Sequence, residues 1–150
     1  MDNVAKARAL AVLVPAVLLG GAYVSQYGFG LYPCEMCWWQ RYPHFVAVAL
    51  GLAAFASRPA ARPLVILAGL AIIASGAIGL FHAGVEYGWW EGITDCTARA
   101  PTGSAFEFGA QVVPCDVPQW KLWGISLAGF NFLISGLGGA AVVALAAYRK

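Results

Sequence analysis

The chain has 150 residues, 61% of them hydrophobic and only 11% charged, with a net charge of +2. Soluble domains carry about 25% charged residues, so this composition excludes an ordinary water-soluble core and points to lipid. The small net charge offers no footprint for nucleic acid, and the length suits one domain, with no fixed-period repeat and no low-complexity tail.

Four long apolar runs follow one another. Ala9 to Tyr27 holds no charge over 19 positions. Basic residues precede it, as in a signal peptide, but the run exceeds the usual short apolar core and no convincing cleavage motif follows, so it is expected to remain as a span. The second run is clean from His44 to Ala56 and reaches spanning length only with its polar start at Met36 or Cys37 included. Leu64 to Val85 has no Asp, Glu, Lys or Arg over 22 residues, and Leu122 to Tyr148 none over 27. About 20 helical residues cross a bilayer core. The runs lack the alternation of barrel strands, and backbone groups in lipid must bond internally, which leaves helices. The expected architecture is all-α: one integral membrane domain, a four-transmembrane-helix bundle with spans near 9–27, 37–57, 64–86 and 122–148.

Charge sets the expected orientation. Lys6, Arg8, Arg58, Arg62, Arg149 and Lys150, six of the nine basic residues, fall on one face, opposed only by Asp2. The other face carries Arg41, Arg99 and Lys121 with six acids: Glu35, Glu86, Glu91, Asp95, Glu107 and Asp116. The positive-inside rule then places both termini in the cytoplasm and two loops in the periplasm or its equivalent. All six tryptophans (Trp38, Trp39, Trp89, Trp90, Trp120 and Trp123) lie near that outward face, where indoles favour the headgroup level. Gly76 and Gly79 in the third span, with Gly136 and Ala140 in the fourth, suit close helix approach in lipid. Asn131, Ser75, Ser126 and Ser135 can bond across helices.

All four cysteines fall in outward segments. Cys34 and Cys37 form Cys-Glu-Met-Cys at the start of span two, and Cys96 and Cys115 lie in the second loop with 18 residues between them. An even number in an oxidising compartment suggests disulfides, with three pairings open. A structural staple suits Cys96–Cys115, whose loop closure contributes roughly 3 kcal/mol. It suits Cys34–Cys37 poorly, because so small a ring constrains little chain. A C-x-x-C pair at a helix N-terminus is the usual reactive dithiol, since that end stabilises a thiolate. Arg41 lies four residues after Cys37, one turn along if the helix is continuous, and its cation would favour a thiolate or bind a ligand oxygen. Pro43 either kinks that helix or sits in its first turn. Four thiols can also bind zinc, but the second pair lacks knuckle spacing. The two histidines, His44 and His82, sit near the outward ends of different spans and could ligate a haem b. His82, with Glu86 one turn later, is the better functional candidate of the two. A haem-b electron-transfer subunit and a non-catalytic membrane partner with structural disulfides are therefore the alternatives to a redox enzyme.

The run Gly30-Leu31-Tyr32-Pro33-Cys34-Glu35-Met36-Cys37-Trp38-Trp39-Gln40-Arg41 resembles the signature of the DsbB family of quinone-dependent disulfide-bond formation proteins. His82 to Glu86, Val113-Pro114-Cys115-Asp116 and Trp123-Gly124-Ile125-Ser126 resemble the family's later landmarks, so the likeness covers most of the chain. It implies an inner-membrane protein-dithiol:quinone oxidoreductase. Cys96–Cys115 would oxidise a DsbA-like thioredoxin-fold partner, with Cys96 forming the mixed disulfide. Cys115 would exchange with Cys34, and Cys37, beside Arg41, would face ubiquinone or menaquinone, with His82 on the quinone side. The second loop is comparatively short. Its stretch from Phe106 to Val113 can lie on the membrane as a short interfacial helix, holding Cys115 near Cys34 while the Cys96 side swings out.

Overall fold

The computed structural model describes residues 2–94, 96 and 113–148. Among these, four long helices carry the chain: α1 Asn3–Phe29, α2 Glu35–Ala56, α3 Ala61–Glu86 and α4 Leu127–Ala147. A two-stranded hairpin, β1 Lys121–Leu122 against β2 Ile125–Ser126, precedes α4. Helices α1, α3 and α4 are long and apolar enough to cross a membrane. Helix α2 has 22 residues, and its first half carries Glu35, Gln40, Arg41 and His44.

Local chemistry sets the helix limits. Asp2 caps α1 by accepting from the Ala5 N–H, so α1 starts six residues before its apolar run. Gly30 closes it in the left-handed region, at φ 70°, with the Leu31 N–H returning to the Ser25 carbonyl. Cys34 is itself the N-cap of α2, its sulfur accepting from the Cys37 N–H at 3.2 Å. Pro43 therefore lies inside the helix and does not start it. The expected fourth span from residue 122 is corrected: α4 begins at Leu127. Trp123 at φ 51° and Gly124 at φ 81° form a two-residue hairpin turn that the apolar pattern does not reveal. Ser126 then caps α4 by accepting from the Gly129 N–H. Of the stretch Phe106 to Val113 expected as an interfacial helix, residues 106–112 lie outside the described residues, and Val113 is not helical.

The helices run antiparallel in sequence, so two cores form at opposite ends. One joins Ala7 and Ala11 of α1, Ala47 and Ala54 of α2, Val65 and Ile72 of α3, and Val142 and Ala146 of α4. The other gathers Cys34, Met36, Val85, Cys96 and Cys115. Small residues bring α3 against α4, as expected in lipid. A Cβ on Gly79 would meet the Ala128 carbonyl oxygen at 2.9 Å, and one on Gly76 the Gly136 nitrogen at 3.1 Å. The second such contact on α4 is Gly139 against Gly69, not Ala140, which is exposed.

Candidate functional site

The cysteine end of the bundle is built from the C-terminus of α1, the N-termini of α2 and α4, the C-terminus of α3 and the segment 113–120. Cys96 and Cys115 form a disulfide, and the Cys115 N–H donates to the Cys96 carbonyl at 2.9 Å. Cys34 and Cys37 are free. The buried Thr94 hydroxyl lies 3.1 Å from Cys96 Sγ and 3.7 Å from Cys115 Sγ. Neither bridged sulfur has a proton, so the hydroxyl donates. The hairpin and loop are tied down locally: Tyr87 donates its hydroxyl to the Gly124 carbonyl and accepts from the Ser126 N–H, and Gln119 donates to the Tyr32 carbonyl.

The two cysteine pairs meet. Cys34 Sγ, a ring nitrogen of His82 and Cys115 Sγ lie within 4.8 Å of one another. His82 Nε2 is 3.1 Å from the Cys115 carbonyl oxygen, 3.7 Å from Cys34 Sγ and 3.8 Å from Glu86 Oε1. Such a cluster resembles a metal-ligand set, but the Cys115 sulfur is committed to its disulfide. Cys34 is 4% exposed, and its hydrogen bond to the Cys37 side chain, followed by burial, pushes its thiol above the ordinary 9.0. The expected thiolate-favouring effect of the helix N-terminus is present in the Cys37 N–H bond, but these larger effects outweigh it at Cys34.

A cavity of about 370 Å³ opens beside this junction, lined among others by Cys34, Cys37, Arg41, His82 and Asn131, with Val17 of α1 on its apolar side. Its size falls within the usual range of small-molecule sites. Cys37, Gln40, Arg41 and His44 all reach it, because positions i, i+3, i+4 and i+7 share one helix face. Arg41 is 6% exposed. It donates to Gln26 Oε1 at 2.8 Å and to the Ala22 carbonyl at 3.4 Å, between the rings of Tyr23 and Trp38 at 5.1 and 4.9 Å. Among the described residues no carboxylate pairs with it. A buried cation with uncommitted donor capacity on an apolar cavity suits a neutral ligand bearing a polarisable oxygen, as a quinone does.

One further residue enters to which the sequence reading assigns no role, together with two already named. Gln40 donates its amide to the Met36 carbonyl at 3.1 Å and to His82 Nδ1 at 2.8 Å, and Asn131 donates to Gln40 Oε1 at 2.9 Å. Gln40 stood inside the motif, but nothing in the spacing reveals that it faces α3. His44, the other histidine near an outward span end, is buried, with Nε2 3.0 Å from Asn131 Oδ1 and 2.9 Å from Ser75 Oγ. With both histidines' Nε2 atoms engaged in this network, the geometry does not favour a bis-histidine haem. Of the expected inter-helix bonds, Ser75, Asn131 and Ser135 make theirs, and the Ser126 hydroxyl, which also caps α4, interacts with the Glu86 side chain of α3.

The profile of the family described as "Disulfide bond formation protein DsbB" matches residues 5–146. A "Disulfide bond formation protein B" of Marinobacter nauticus is 28% identical over 142 residues, covering 85% of this chain and 83% of the relative. An uncharacterized protein of Rickettsia prowazekii is 25% identical over 132 residues, covering 83% of this chain and 77% of that protein. No solved structure matches the chain.

Proposed function

Since the chain belongs to the DsbB family of disulfide bond formation proteins, we propose that it is a single membrane domain moving electrons from a periplasmic, DsbA-like thioredoxin-fold dithiol to membrane quinone. Family membership establishes a disulfide-forming oxidoreductase role and a multi-pass membrane protein. The partner, the quinone and the residue roles are our reading. The observation that carries it is the approach of the two cysteine pairs, Cys34 Sγ within 4.8 Å of Cys115 Sγ, beside a cavity that also holds Arg41. In this reading α2 crosses the inner membrane with the other three helices. Both termini are cytoplasmic and the cysteine end is periplasmic, from the basic-residue asymmetry.

The thiol chemistry follows as balanced exchanges. A partner thiolate attacks Cys96 Sγ, the Cys96–Cys115 bond breaks, and Cys115 leaves as a thiolate. The partner's second thiolate resolves that mixed disulfide and frees Cys96. The Cys115 thiolate attacks Cys34 Sγ of a Cys34–Cys37 disulfide, and Cys37 leaves as a thiolate. Cys96 then attacks Cys115, restoring the loop disulfide and freeing Cys34. The product has a closed loop pair and a free Cys34–Cys37 pair, which is the arrangement in this structure. Each step keeps the electron count, so the partner's two electrons end on Cys34 and Cys37. A bound quinone supplies the final sink, taking up two electrons and two protons as that pair closes. Cys37 and Arg41 would hold it, with the apolar side of α1 excluding water. A dithiol as oxidising as DsbA, at about −120 mV, needs so strong an acceptor.

The test is quinone reduction by the purified protein with a reduced thioredoxin-fold donor. Donor oxidation and quinone reduction should proceed one to one, and Cys34→Ser, Cys37→Ser and Cys115→Ser should each abolish turnover. No reduction of either ubiquinone or menaquinone analogues, with all four cysteines intact, would overturn the proposal.

A further inference from the structure

The polar network between α2, α3 and α4 has a direction that can be read from three backbone carbonyls. A carbonyl can only accept. The Gln40 atom 3.1 Å from the Met36 carbonyl oxygen is therefore its NH₂, and that same nitrogen lies 2.8 Å from His82 Nδ1. The Asn131 atom 3.1 Å from the Ser75 carbonyl oxygen is likewise its NH₂, and it meets Gln40 Oε1 at 2.9 Å. At the far end, His82 Nε2 sits 3.1 Å from the Cys115 carbonyl oxygen and so must donate. Both of Gln40's amide protons are thus assigned, one to Met36 and one to Nδ1, and both assignments at His82 agree. Nδ1 is the bare acceptor and Nε2 carries the proton.

We infer that Gln40 is a positioning residue: held by Asn131, it fixes His82 as the Nε2–H tautomer, so that His82 offers the Cys34 and Cys115 sulfurs a proton donor and not a base. The Nε2–H is held on the Cys115 carbonyl oxygen, and Cys34 Sγ lies 3.7 Å from the same nitrogen and within 4.8 Å of Cys115 Sγ, so a small turn of the N–H brings it to the place where exchange puts negative charge on sulfur. A neutral imidazole that already holds its proton on Nε2 cannot remove one there. Its other nitrogen is closed off by the Gln40 amide. The same tautomer disfavours a metal at this cluster, because a ligating Nε2 needs its proton on Nδ1 and an acceptor beyond it. The catalytic consequence rests on the exchange pathway proposed above, whereas the tautomer does not.

The chain has only two histidines, so selective ¹⁵N-histidine labelling gives two resolvable rings, assigned with His44→Asn. In the wild-type protein, without donor or quinone, His82 should show a protonated Nε2 and a bare Nδ1. Gln40→Glu replaces the amide donor by an acceptor and should move the proton to Nδ1. Asn131→Leu leaves Gln40 in place but frees its amide to rotate, and His82 should become a mixture of tautomers. The functional arm mixes doubly oxidised protein with one equivalent of reduced donor in the absence of quinone. Acid quenching and alkylation then follow the appearance of Cys34 and Cys37 thiols. Gln40→Glu should slow this appearance about tenfold, as expected for one lost hydrogen bond to a charged sulfur. A bare Nε2 in the wild type, or a His82 spectrum unmoved by Gln40→Glu, overturns the inference. If Gln40→Glu does not fold, an unmoved spectrum in Asn131→Leu does so instead. A shifted tautomer with undiminished exchange overturns the positioning role. If the wild-type protein itself shows no exchange, the proposed electron pathway fails while the tautomer result stands.

Discussion

Replacing Arg41 by leucine separates two roles that a buried arginine can have. The guanidinium makes one short hydrogen bond to Gln26 and lies over Tyr23 and Trp38 at 5.1 and 4.9 Å. A hydrogen bond to a charged group contributes about 1.5–3 kcal/mol, and each cation–π contact about 0.5–2 kcal/mol when desolvated. Against these stands the cost of burying an ion, several kcal/mol for a side chain only 6% exposed. The opposing amounts are similar, and leucine keeps most of the apolar volume. Stability should therefore change by no more than about 1–2 kcal/mol. Quinone binding has no such compensation. Losing one charged hydrogen bond to a ligand oxygen raises KM by about 10- to 150-fold, the equivalent of 1.5–3 kcal/mol. Thiol exchange between the loop pair and Cys34 feels the guanidinium only through its charge beside the departing Cys37 and should fall much less than quinone use does. The assay is steady-state quinone reduction, run beside the quinone-free exchange reaction and thermal unfolding in one detergent. Equal loss in both half-reactions would refute the reasoning, as would a collapse of Tm with KM unchanged, which would make Arg41 a bolt between α1 and α2.

Three further outcomes follow from the geometry. In the free Cys34–Cys37 pair, the raised Cys34 thiol keeps its proton through neutral and mildly alkaline pH; alkylation should therefore label Cys37 first, and Cys34 only after the pH rises well beyond 9.0, whereas early labelling of Cys34 would contradict this. Thr94→Val removes the hydroxyl that donates to the Cys96–Cys115 sulfurs; mixed-disulfide formation with a reduced donor should slow by about 3- to 10-fold, the effect of one modest hydrogen bond, and Thr94→Ser should restore it. Gly79→Ala forces a Cβ to within 2.9 Å of the Ala128 carbonyl oxygen and 3.0 Å of Asn131 Nδ2; about 1–3 kcal/mol of destabilisation is expected from this overpacking, read as a lower Tm, and an unchanged Tm would show that α3 and α4 can part without cost.

Hydrophobic run length and the sparsity of charge determine by themselves that the chain forms long apolar helices. These are local properties, because a helix in lipid closes its hydrogen bonds within its own segment. The dithiol motif is legible for the same reason: Cys34 caps α2 through a bond to a residue three positions away. Where the reading failed locally, at the start of α4, the cause was two residues at positive φ. Tryptophan gives no warning of that conformation, and the apolar pattern runs through the turn unbroken. The assembled site is another matter. Gln40 reaches His82 across 42 positions, His44 reaches Asn131 across 87, and Asn131 reaches Gln40 across 91. No periodicity encodes those partners, since each depends on how glycines let α3 and α4 close and on which face of α2 turns inward. The sequence alone thus tells that cysteines, an arginine and a histidine lie at one end of a helical bundle. Only tertiary packing decides that Cys34 faces the Cys115 sulfur, that Arg41 is buried on a cavity, and that a glutamine governs which nitrogen of His82 holds the proton.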